Sequence, residues 1–61
     1  MEFKERLKAY DITVEDIVRA GFSKRTAYAW LAGTRRPRGI QQDVTLDHIK
    51  SVRNVFLGRA Q

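Results

Sequence analysis

Two short segments of helical periodicity, a single glycine turn apart, constrain the fold of this chain most. They run from Val14 to Ala32, VEDIVRAGFSKRTAYAWLA. Val14, Ile17 and Val18 fall at i, i+3 and i+4, so the first helix is expected to bury that face. Thr13 is a suitable N-cap, and Asp16 three residues on makes a weaker relative of the capping box. Gly21 is placed to end the helix, because glycine turns the chain sharply without a Cβ clash. Phe22 is expected beneath the turn, where it would fix the angle between the helices. Ser23 then caps a second helix, Lys24 to Ala32. At helical spacing Thr26, Ala27 and Trp30 share one side, with Leu31 at its edge. Lys24, Arg25, Tyr28, Ala29 and Ala32 share the other. The first set is bulky and apolar and is expected in the core. The second is basic, aromatic and otherwise small, with no acid on it.

The flanks read as scaffold. A first helix is expected over Met1 to Tyr10, with Phe3, Leu7 and Tyr10 on one face and Glu2, Glu5 and Lys8 placed to suit the helix dipole. Gly33 is placed to end the helix that starts at Lys24, and Pro37 prevents its resumption. Thr34, Arg35, Arg36 and Arg38 therefore lie on an exit loop, residues 33–39, with Arg36 biased to extended backbone by the proline after it. Thr45 can cap a last helix from Leu46 to about Leu57, with Gly58 past its end. Leu46, Ile49, Val52 and Phe56 form its apolar stripe; Val55 lies off it. Ile40, Val44 and Leu46 also fit a short strand under period two, so residues 40–44 stay open between strand and loop. Arg59 to Gln61 is expected to fray. The fold class expected is all-α, a small bundle of about four helices in one domain, 1–61.

Sixty-one residues bury only ~60% of the surface their unfolded chain exposes, so each large apolar residue counts. Without cysteine there is neither a disulfide framework nor a thiolate metal site. No N-terminal apolar run suggests a signal peptide or membrane span, so a cytoplasmic protein, of a bacterial cell or a phage-infected host, is expected. Charge is distributed unevenly. Between Ile17 and Gln42 stand six basic residues (Arg19, Lys24, Arg25, Arg35, Arg36, Arg38) and no acid. The rest of the chain holds six basic and seven acidic residues, so the whole net charge of +5 comes from this window. A localised field of one sign recruits a polyanion.

Thr13 to Arg38 resembles the helix-turn-helix of the phage Cro and lambda-type repressor family. The resemblance rests on the turn Gly21-Phe22-Ser23, on Ala27 and Trp30 at interior positions, and on the exit run W-L-A-G-T-R-R-P. Three positions depart from the family pattern: Ile17 stands where a small residue is usual, Ala27 where a β-branched one is, and Thr13 where glutamine is common. The first two changes would roughly conserve volume where the helices meet. Carried over by position, the resemblance implies that Lys24 and Arg25 reach base edges and that Tyr28 and Ala29 lie in the groove one turn later. Independent chemistry agrees, since Lys and Arg donate best to guanine O6 and N7 and Ala29 suits a thymine methyl. Ser23, Thr34, Arg35, Arg36 and Arg38 are placed for phosphates, which position a protein without reading sequence.

The expected function is sequence-specific binding of double-stranded DNA by a Cro-like transcriptional regulator, most simply a repressor. Homodimerisation on a palindromic operator is expected, with Val44, Val55 and Leu57 as interface candidates. An architectural recombination factor of excisionase type and a basic protein-interaction module are the alternatives. Trp30 belongs to the core rather than to base stacking, and lone His48 has no partner for a metal site. Asp43 and Asp47 suit a helix start better than a catalytic pair. No nucleophile–base arrangement or phosphate-binding glycine loop stands out, so no enzyme activity, cofactor or small-molecule ligand is expected.

Overall fold

The computed structural model describes residues 2–59 and is all-helical: α1 (Phe3–Ala9), α2 (Val14–Arg19), α3 (Lys24–Ala32) and α4 (Gly39–Arg59). Met1, the expected start of the first helix, lies outside the described residues, as do Ala60 and Gln61 of the expected frayed end.

The core is one cluster to which every helix contributes. Phe3 and Leu7 come from α1, Ile17 from α2, Ala27 and Trp30 from α3, and Leu46 and Ile49 from α4. Ile12, in the α1–α2 connection, joins them at 5% exposure. Ile17 and Ala27 are both fully buried, a large and a small residue within the one cluster.

Three helices end by the same device. Asp11, Gly21 and Gly33 each have positive φ (55°, 106° and 81°) just past the end of α1, α2 and α3. After α1, the amides of Asp11 and Ile12 donate back to the carbonyls of Lys8 and Leu7. Gly21 and Phe22 do the same to Val18 and Ile17, and Gly33 and Thr34 to Trp30 and Ala29. These are Schellman ends, which satisfy carbonyls left free by the last turn. In the first two, the residue after the left-handed one is apolar and turns inward: Ile12 is buried and Phe22 half-buried.

At its start α2 carries a complete capping box, stronger than expected. Asp16 N–H donates to Thr13 Oγ1 (3.3 Å), and Thr13 N–H donates to Asp16 Oδ2 (3.1 Å). Asp16 is thereby buried at 9% exposure, with Arg19 Nη1 on its other oxygen at 3.2 Å. Val18, expected inside, is 41% exposed; in a six-residue helix only Ile17 is fully covered, and Val14 packs at the edge.

The C-terminal third departs from expectation. There is no strand or loop at 40–44, and Thr45 caps nothing: α4 begins at Gly39 and passes through Thr45 and Gly58. The exit loop accordingly spans 33–38. Ile40 and Val44 are 88% and 70% exposed, so they supply neither a strand face nor a core-facing stripe of the helix. The extra turns are held by two contacts to the preceding loop and one to α1. Gln41 N–H donates to Arg38 O (2.8 Å), the Gln42 amide to Pro37 O (3.1 Å), and Arg6 pairs with Asp43 at 2.6 Å. Asp43 is thus a bridge to α1 rather than a helix-start residue. Tyr10 and Phe56, both expected on buried stripes, are 45% and 44% exposed and lie under cations instead. Lys50 Nζ sits 4.0 Å from the Tyr10 ring centre, and the Arg19 guanidinium 3.6 Å from that of Phe56. Arg53 Nη1 also donates to the Tyr10 carbonyl, so polar side chains of α4 reach the residue that ends α1.

Candidate nucleic-acid interface

The Trp30 indole fixes the rotation of α3 about its own axis. The Phe3 ring meets it edge-on, centroids 5.6 Å apart at 85°, and Phe22 tilts against it at 4.8 Å. Trp30 is 8% exposed and Ala27 not at all. With that side locked inward, the opposite side must face out. Lys24, Arg25, Tyr28 and Ala32 are exposed, Tyr28 to 57%, and Ala29 is half-buried between them. The result is a convex strip of two cations and a phenol over small residues, with no acid on the helix.

Both ends of α3 are finished by hydroxyls. Ser23 Oγ accepts from Thr26 N–H (3.1 Å) and lies 2.8 Å from Thr26 Oγ1. Thr34 Oγ1 donates to the Ala29 carbonyl at 3.3 Å. The Ser23 and Thr34 hydroxyls thus serve the helix itself. Among the phosphate candidates, Arg35, Arg36 and Arg38 are the exposed groups with charge to offer.

Folding changes the electrostatics of that loop. The sequence window holds no acid, yet Glu2 and Glu5 of α1 share a surface hollow with Arg36, Gly39 and Gln42. Lys4 is brought to Gly33 on the neighbouring side. Sequence spacing carries no sign of either approach, because both depend on how α1 packs against α3 and the start of α4.

No protein-family model, curated protein or solved structure matches this chain.

His48 also has a place that its sequence context did not reveal. Its Nε2 lies 2.8 Å from the Ala20 carbonyl, and its ring meets Phe22 edge-on at 6.3 Å. It braces the turn between α2 and α3 from α4. The three interface candidates separate. At 100° per residue Val44 and Val55 fall within about 20° of each other around α4, whereas Leu57 lies about 140–160° from them. Val44 and Val55 are 70% and 56% exposed, and Ile40, at 88%, lies on their side of the helix. Among the described residues, no helix is long and apolar enough to cross a membrane.

Proposed function

We propose that this protein binds double-stranded DNA sequence-specifically, as a Cro-like transcriptional regulator that represses by occupying its operator. One observation carries the reading: α3 is held in the core by Ala27 and Trp30 while Lys24, Arg25 and Tyr28 project from its other side. A helix is the element that fits the major groove, and small residues such as Ala29 and Ala32 let its backbone approach base edges. Lys24 and Arg25, in the first turn, read bases; Tyr28 and Ala29 make the contacts one turn deeper. Arg35, Arg36 and Arg38 grip the phosphates beside that groove.

One module of this size covers too little DNA for high specificity, ~600–1,000 Å², and so acts as a homodimer. The aliphatic stripe of Ile40, Val44 and Val55 along α4 supplies the self-complementary surface. Leu57, on another side of the helix, is left out of it. Two copies would set their recognition helices in successive major grooves, ~34 Å apart.

Selection of bound sequences from a random duplex pool tests this directly. The expected product is a palindromic consensus with half-sites one helical turn apart. Recovery of unenriched sequence would overturn base reading, and affinity that stays flat with salt would point to a protein partner for the basic face. Head-to-tail sites with a strong induced bend would favour an architectural recombination factor.

A further inference from the structure

We propose that Lys4 of α1 is a phosphate-binding residue of the DNA interface, placed there by Gly33; the inference rests on the DNA reading above. A Cβ built on Gly33 would lie 2.6 Å from Lys4 Cδ and 3.3 Å from both Cε and Nζ. The distal half of the lysine therefore runs across the end of α3, over the bare Gly33 Cα, where any side chain would have to push it aside. Lys4, Arg35 and Arg36 line one small hollow together with Glu2, Phe3 and Gly33. Three cations from two distant parts of the sequence are thereby gathered where the recognition helix ends.

Among the described residues, ion pairs join Arg6 to Asp43 and Arg19 to Asp16, and Lys4 is in neither. Glu2 lines the same hollow but forms no ion pair with Lys4. The half-buried stem means that part of the side chain's freedom is already lost before any ligand arrives, which lowers the cost of binding one. A role confined to the fold is the competing account. The last turn of α3 has no basic residue of its own, and a cation there opposes the negative end of the helix dipole. The dipole alone would be served by Lys4 whether or not DNA is present, so the test must separate the two roles.

The experiment measures affinity for the selected duplex across a salt series, for the unaltered protein, Lys4→Met, Lys4→Arg and Lys50→Met. Methionine keeps a stem over Gly33 and removes the charge. Lys50 lies on the Tyr10 ring, at the other end of α1, and controls for loss of one unit of net charge. Lys4→Met is expected to bind roughly five- to tenfold more weakly at 0.1 M salt and to lower the salt slope by about 0.9, with the consensus unchanged. Lys4→Arg and Lys50→Met are expected to keep the original slope. A Lys4→Met slope parallel to that of the unaltered protein, with or without a lower melting temperature, would assign Lys4 to the fold alone. Absence of salt-dependent binding by the unaltered protein would overturn the DNA reading, and this inference with it.

Discussion

Arg25 and Arg36 carry the same charge but are expected to do different work. Arg25 stands in the first turn of α3, where a guanidinium can pair both of its donors with guanine O6 and N7. Arg25→Ala is expected to relax preference at one position of each half-site, a loss of ~1–3 kcal/mol of discrimination. Arg36 lies on the loop before Pro37, and Arg36→Ala is expected to weaken all duplexes about equally and to lower the salt slope by about 0.9. Comparing the selected consensus and the salt dependence of the two variants checks both. An Arg25→Ala consensus identical to the original would remove Arg25 from base reading. Much of this was legible at the residue scale, because which side chains share the outer side of α3 follows from spacing alone. The burial of Asp16 was not, since it depends on Thr13 and Arg19 closing over it.

Helix ends are where the elements are decided. Gly21 and Gly33 take left-handed φ without penalty, but Asp11 occupies the equivalent place after α1 at φ 55°. A non-glycine residue there carries roughly 1–2 kcal/mol of strain, softened for aspartate. Asp11→Gly is therefore expected to stabilise the protein by about 0.5–1 kcal/mol, read as a rise in melting temperature. Gly33→Ala is expected to do the reverse, with backbone strain of roughly 1–2 kcal/mol and displacement of the flexible Lys4 chain. Unfolding curves that rank the two variants the other way would contradict these conformations. α4 offers a sharper test. Proline at a cap position is tolerated, but inside a helix it costs ~3 kcal/mol or more. Thr45→Pro is expected to unfold the domain or nearly so, because α4 runs unbroken from Gly39 through Thr45. Mild destabilisation would instead return Thr45 to a helix start. Sequence could not show this, since Ile40 and Val44 face outward and leave no periodic trace of the turns that carry them.

At the scale of the molecule, α4 is long relative to the bundle. Its 21 residues rise about 31 Å, against a longest dimension of 34 Å. Its core contacts come from Leu46 and Ile49, leaving Ile40, Val44 and Val55 exposed on its outer side. Sedimentation equilibrium is expected to find a dimer of the unaltered protein and a monomer of Val55→Glu. Because Val55 is 56% exposed, the substitution should leave monomer stability within ~0.5 kcal/mol and helical circular dichroism unchanged. Persistence of the dimer in Val55→Glu would place the interface elsewhere.

By itself the sequence determined the α2–turn–α3 unit and the two-sided character of α3. Caps, left-handed glycines and i, i+3, i+4 spacing are encoded within one or two helical turns, so a local pattern suffices. Tertiary structure decided the rest: where α4 starts, that Ile12 goes inside while Val18 and Phe56 do not, and which distant groups meet. Arg6 with Asp43, His48 with the Ala20 carbonyl and Lys4 with Gly33 are approaches between elements far apart in the chain. Each depends on the angle at which whole helices pack, and that angle is set by the joint shape of the core rather than by any one segment.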